Sequence, residues 1–278
     1  MMKTNQTTVK DVALKAKVSP STVSRVISNH PKISEETRKR VLKVMDDLGY
    51  YPNAIARSLA SKKTGTLGVI LPNRTEDLLL NPFFPEALRG IIKGAASASY
   101  DVLLSSSTEG KSELEIVKTF IRSSKVDGII LMSSKVNDEC QEYLSSIEFP
   151  FSLIGSPYDH KEKVNHVDND NYMAAYELTT YLSMIGRKRI ALIAFGATKV
   201  FKTAGISIPK DLAIASFNNS ILSRYSDIPL TSVDINSFDL GYYSVDLLAK
   251  AINEGVKGRK LIIPYEIVKR QSTEGEAK

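Results

Sequence analysis

Apolar residues recur at helical spacing through the first fifty positions of this chain. Val9, Val12, Ala13 and Ala16 make one stripe, and Val23, Val26 and Ile27 a second. Thr8 stands before the first stripe with Asp11 three residues on, a capping-box arrangement. Ser19 followed by Pro20 at the first helical position starts the second helix. A third helix is predicted to begin at Ser34, where Glu35 and Glu36 complement the positive helix end, and to stop at Leu48 before Gly49. Two short helices joined through residues 17–19, with a third packed across them, predict a helix-turn-helix unit.

Beyond Gly65 the pattern changes to short apolar runs between helical stretches. Residues 66–71, 102–105, 128–132 and 151–154 predict strands, separated by helices near 84–98, 111–123 and 137–146. A second set follows: helix 171–185, strand 189–194, helix 198–204, strands 212–216 and 231–235, and helix 238–252. Such alternation predicts an α/β body, a parallel sheet with helices on both faces and right-handed crossovers. No internal repeat is present, and the polar residues 271–278 are expected to fray.

The charge distribution adds a partner to this picture. The net charge is +6, yet residues 1–65 hold 13 Lys and Arg against 5 Asp and Glu, a local balance of +8. The rest of the chain, with 24 basic and 26 acidic residues, is at −2. A basic module on a near-neutral body points to a polyanion, most often nucleic acid, or else to a solvated charged surface. In helix-turn-helix geometry the second helix enters the major groove, and its N-terminal side chains meet base edges. Arg25 suits guanine, because a guanidinium donates twice to O6 and N7. Ser21 and Thr22 can donate to phosphate or base, while Thr8 and the Ser19 backbone hold the register. A three-helix bundle with no DNA role is the competing reading of the same pattern.

The segment Pro52-Asn53-Ala54-Ile55-Ala56-Arg57-Ser58-Leu59-Ala60 favours helix but is too short to be stable alone in water. Together with Thr8-Val9-Lys10-Asp11-Val12-Ala13, Val18-Ser19-Pro20-Ser21-Thr22-Val23-Ser24-Arg25-Val26 and Leu48-Gly49-Tyr50, it resembles the LacI/GalR family of bacterial transcription repressors. The resemblance implies a DNA-binding head over residues 1–52, a hinge helix and linker over 53–65, and a periplasmic-binding-protein-like body over 66–278. It places Pro20, Ser21 and Arg25 among the main specificity residues. It also implies that Asn53 to Ala60 fold on operator DNA and pair with a dimer mate in the minor groove. Leu59 falls where the family inserts a leucine between base pairs, and an apolar wedge there unstacks a step and kinks the duplex. Ala56 and Ala60 are small enough for close approach. An ordinary linker leucine is the alternative for Leu59. The implied partners are palindromic double-stranded operator DNA, a second copy of the chain and a small sugar effector.

Within the body, Asn81-Pro82-Phe83-Phe84 and Val167-Asp168-Asn169-Asp170-Asn171 resemble the family's cleft motifs. Sugar sites combine an aromatic face with carboxylate and amide groups, so Phe84 and Asp168 are candidate contacts. Phe83 or Phe84 equally suits a core position, and a residue of 168–171 suits a helix cap. The run from Ser216 to Ser220 resembles maltose-type members, with Asn218 or Asn219 facing the cleft. One departure stands out. After the strand at 189–194, Phe195-Gly196 runs directly into a segment that resembles a much later helix of the family. By that resemblance on the order of sixty residues, about two βα units, are absent. With them go an arginine and an aspartate of the effector grip. In a strand order 2-1-3-4-5, the loss removes strands two and three, so the sheet must close across the gap or leave edges exposed.

Other chemistries are poorly served. The single Cys140 excludes an intrachain disulfide or a Cys-rich zinc site and fits a reducing compartment. His30, His160 and His166 lack metal-ligand spacing, no Gly-rich phosphate loop follows a strand, and Cys140 has no His partner in sequence. No apolar run reaches the roughly 18 residues of a membrane span, and residues 1–6 carry no signal-peptide core. The expectation is a cytoplasmic, dimeric regulator with no catalytic residue, cofactor, metal or membrane contact. A sugar-binding or signalling module with a vestigial head, and a poorly folding decayed gene product, are the competing readings.

Overall fold

The computed structural model describes residues 7–28, 30–51, 63–72, 78, 81–107, 110–159, 162–186, 190–192, 201 and 203–274. The chain divides into two compact units, Met1–Thr64 and Gly65–Lys278.

The first unit carries α1 (Val9–Ala16), α2 (Pro20–Ile27) and α3 (Glu35–Asp47). The capping box forms as the sequence predicts: the Thr8 side chain accepts from the Asp11 amide while Asp11 accepts from the Thr8 backbone. Lys17 ends α1 in the left-handed region at φ 52°, which turns the chain sharply into α2. Val12, Ala13, Ala16, Val23, Val26, Val41, Val44 and Met45 are buried together, so the sequence stripes are the core of the head.

The second unit contains two sheets. The larger has the order β2-β1-β3-β4-β5-β9 and is parallel throughout, with β1 (Thr66–Leu71), β2 (Asp101–Ser106), β3 (Gly128–Leu131), β4 (Phe151–Ile154), β5 (Asn165–Asp168) and β9 (Lys260–Ile262). On one face lie α4 (Phe83–Ser97) and α9 (Ser237–Glu254), packed on Leu67, Val69, Ile130 and Val167. On the other lie α5 (Glu113–Arg122) and α6 (Glu139–Ser146), packed on Ile70, Ile129, Leu131 and Leu153. Each fully buried Leu or Ile here contributes about 1.5–3 kcal/mol by leaving water. The two helices α4 and α9 cross at glycines: a Cβ on Gly90 would stand 1.9 Å from the Phe238 carbonyl oxygen, and one on Gly241 2.0 Å from that of Ala87.

The smaller sheet has the order β10-β8-β7-β6, formed by β6 (Ile190–Leu192), β7 (Ala213–Phe217), β8 (Thr231–Asp234) and the antiparallel β10 (Glu266–Val268). β6 pairs directly and in parallel with β7, Ile190 opposite Ala213 and Leu192 opposite Ala215, and stands at the edge of the sheet. From α7 (Asn171–Met184), Ala174, Leu178 and Leu182 share a core cluster with Ala213, Ala215 and Val233. The short α8 (Ile221–Tyr225) follows β7. Against the expectation that residues 271–278 fray, Ser272 is buried at the far end of this sheet, accepting from the Thr231 amide and donating to the Ile214 carbonyl, because its hydroxyl satisfies two strand backbones.

The chain passes between the halves three times: from β5 into α7, from β8 into α9, and from β9 into β10. Most of the helix expected at 198–204 lies outside the described residues. The strands β5, β9 and β10 and helix α8 are additions to the sequence-based expectation.

Candidate nucleic-acid interface and effector cleft

At the start of α2, three hydroxyls converge. Ser19 Oγ accepts from the Thr22 amide at 3.1 Å and lies 2.7 Å from Ser21 Oγ and 2.9 Å from Thr22 Oγ1. Ser19, Pro20 and Ser21 are exposed, and Arg25 is exposed one turn further on. Val23 and Val26 point the other way, into the core. The alternation of buried and exposed positions on one short helix therefore presents Ser21 and Arg25 outward while the hydrophobic side fixes its orientation. At the start of α1, Thr8 donates through its backbone and its Oγ1 to one Asp11 oxygen, at 2.8 and 2.7 Å, which holds the Asp11 carboxyl below the usual range. Thr8 is exposed beside it. Asn53, Ala56, Leu59 and Ala60 lie outside the described residues.

In the body, Phe83 and Phe84 open α4 as an edge-to-face pair with ring centroids 5.0 Å apart. Both are half-buried against the main core cluster, so each ring packs on one side and keeps the other partly open. Asp168 ends β5 at the sheet's C-terminal edge, the end at which open α/β sheets bind ligands. Burial raises its carboxyl above the usual range, against opposing contributions from the Asn169 amide, His166, Lys260 and Asn171. The cap of α7 is Asp170, whose carboxylate accepts from the Met173 amide at 2.9 Å. Asp168 is thus not used as a helix cap.

The two asparagines after β7 divide their roles. Both are left-handed, at φ 72° for Asn218 and 38° for Asn219. Asn219 donates to Asp234 at 2.8 Å and accepts from the Arg270 guanidinium, which fixes it within the small sheet. Asn218 is partly exposed at the strand end. Among the described residues no hydrogen bond or ring contact joins Phe84, Asp168 and Asn218.

Two polar groups escaped the sequence reading. Ser107 Oγ and Ser134 Oγ are buried without a hydrogen-bond partner among the described residues, just past the ends of β2 and β3. A buried hydroxyl left unpaired costs about 1–3 kcal/mol, so such groups mark places where a ligand or water supplies the partner. Gly155 borders Ser134: an added Cβ would make ordinary van der Waals contact with the Ser134 Cβ at 3.9 Å, and it is the φ of 110° that favours glycine there. The signal was present as serine runs closing two apolar strands, at Ser105 to Ser107 and Ser133-Ser134.

Residues 8–53 match the description "Bacterial regulatory proteins, lacI family", and residues 64–199 match "Periplasmic binding proteins and sugar binding domain of LacI family". Residues 191–273 match "Periplasmic binding protein-like domain". Over almost its whole length the chain is 30% identical to the transcriptional regulator MalR of Staphylococcus xylosus, covering 96% of this chain and 98% of that protein. The chain belongs to the LacI family. That alignment runs over 336 positions against the 278 residues of this chain, so it carries gaps in this chain. MalR of Streptococcus pneumoniae is 40% identical over 199 residues, a match that takes in 70% of this chain and 59% of the relative's length. Among solved structures, the lac repressor dimer bound to operator and an anti-inducer superposes with a TM-score of 0.79 at 20% identity, over 97% of this chain and 99% of that one. At that identity the likeness speaks for the fold.

Proposed function

We propose that this chain is a sequence-specific DNA-binding transcriptional regulator, a homodimer that represses sugar-utilisation genes from a palindromic operator. The observation that carries this reading is the outward face of α2, where Ser21 and Arg25 stand exposed on a helix locked by Val23 and Val26. Arg25 reads a base, Ser21 and Thr22 contact base or phosphate, and Thr8 and Ser19 fix the register. Asn53, Ala56, Leu59 and Ala60 form the hinge helix that enters the minor groove, with Leu59 as the wedge. The relatives are named as transcriptional regulators, and the resemblance of residues 216–220 to maltose-type members points to a maltose-like effector held by Phe84, Asp168, Ser134 and Asn218.

The small sheet weakens this grip. It has four strands, and β6 pairs directly with β7 where, in the order 2-1-3-4-5, one of the two absent strands would stand between them and the other outside β6. A ligand held from one side leaves hydroxyls unpaired, and two or three such losses move a micromolar affinity to about millimolar. A one-sided site also cannot distinguish two body states, which is what allostery requires. Operator binding is therefore constitutive in this reading.

Footprinting of the purified chain on its own upstream region tests the core of the proposal. A protected palindrome whose affinity falls steeply with salt supports it. Weak protection without sequence preference would contradict it.

A further inference from the structure

The three passages between the halves of the body are joined by one side chain. Asn169, 5% exposed, lies in the passage from β5 to α7. Its amide nitrogen donates to the Ile235 carbonyl at 3.0 Å, in the passage from β8 to α9. It donates its other hydrogen to the Ile263 carbonyl at 2.9 Å, in the passage from β9 to β10. The Ile263 amide donates back to the Asp168 carbonyl at 2.8 Å. Asn236, in the second passage, donates to the Pro264 carbonyl of the third at 2.6 Å. Both hydrogens of the Asn169 amide are thus committed to segments 66 and 94 residues away.

Another buried asparagine makes the contrast. Asn165, 4% exposed, donates to the Val256 carbonyl at 2.8 Å and accepts from the Arg259 amide at 3.0 Å. It also bonds two distant backbone groups, but both belong to the approach to β9 within the large sheet. Chemically the two residues are alike, and only Asn169 stands where the halves meet.

We propose that Asn169 is the positioning residue of the hinge, tying all three passages so that the two halves turn about one fixed point. The geometry gives the reason. Three separate strands of backbone could twist independently, and a rigid-body closure needs them to move together. A carboxamide is suited to this, because its two N–H groups diverge and can hold two carbonyls in one plane. No other neutral side chain of that length offers two donors from one atom. The missing segment lies within the small sheet and leaves all three passages in place, so the hinge is intact even where the ligand grip is reduced.

The test uses the full chain with spin labels on introduced cysteines at the exposed positions Glu142 on α6 and Thr180 on α7, one in each half. Cys140→Ala provides the background, although its buried thiol, pushed up to about 12, already resists labelling. Asn169→Leu should widen the distance distribution about twofold while the secondary structure is retained. Asn165→Leu should lower the melting temperature without widening it. An unchanged width in Asn169→Leu, or equal widening in both variants, would overturn the proposal. Should Asn169→Leu fail to fold, Asn236→Asp keeps the left-handed backbone but cannot donate to Pro264. It should widen the distribution by a smaller margin, and no widening there would equally overturn it.

Discussion

Arg25 and Asp168 each depart from what stability alone would select. Arg25 is fully outside the head core, so its removal leaves the fold intact and isolates recognition. Arg25→Ala should cost about 1–3 kcal/mol of operator binding and relax discrimination at one base pair, measurable by competition with single-base variants of the site. Unchanged sequence preference would count against its role. Asp168 pays in the opposite direction. Its ordinary value is 3.8, and burial raises it in the folded chain, so the folded state keeps this proton to higher pH than the unfolded state does. The associated stability is full below the ordinary value and is lost as pH rises through the raised one. At neutral pH the carboxylate is a cost, and a residue kept at a cost suits a functional contact. Asp168→Asn should raise the melting temperature at pH 7 and leave it nearly unchanged at pH 3. Calorimetry at the two pH values checks this, and equal shifts at both would show that the effect is not ionic.

Among the elements, the α4–α9 crossing depends on the absence of side chains. The Cβ of Gly90→Ala would press on backbone, which cannot swing aside as a side chain can, so the helices must separate. A loss of about 1–3 kcal/mol is expected in urea unfolding of the body, while the head transition stays in place. A neutral substitution would mean that the two helices can slide. The elements that were legible in sequence share strong periodicity or clear caps: the three head helices fall where Thr8, Ser19 and Ser34 put them. Those that were missed are short or polar. β5 reads Asn-His-Val-Asp, and its buried Asn165 is satisfied by residues 256 and 259, partners that no local pattern announces. β9 and β10 have three residues each and gain their strand character from pairing with distant neighbours. Phe84 and Asp168 are effector candidates by motif resemblance alone, whereas Ser107 and Ser134 needed the fold to show that their hydroxyls are buried without a partner among the described residues.

At the scale of the whole molecule, the chain joins a helix-turn-helix unit to a body of two sheets, the smaller with four strands. Of the sequence-based alternatives, closure or exposed edges, the structure shows elements of both: β6 pairs directly with β7 and is itself the edge strand of the small sheet. If, as proposed, the small half offers only part of a ligand grip, recognition of DNA and response to sugar should come apart. The direct measurement is operator affinity of the purified full chain, by fluorescence anisotropy on a duplex from its own upstream region, during titration with maltose and related sugars. Tight, salt-sensitive binding that changes little up to millimolar sugar is the expected result. A change of about tenfold at sub-millimolar sugar would contradict it, because about 1.4 kcal/mol of coupling requires a site that grips from both halves.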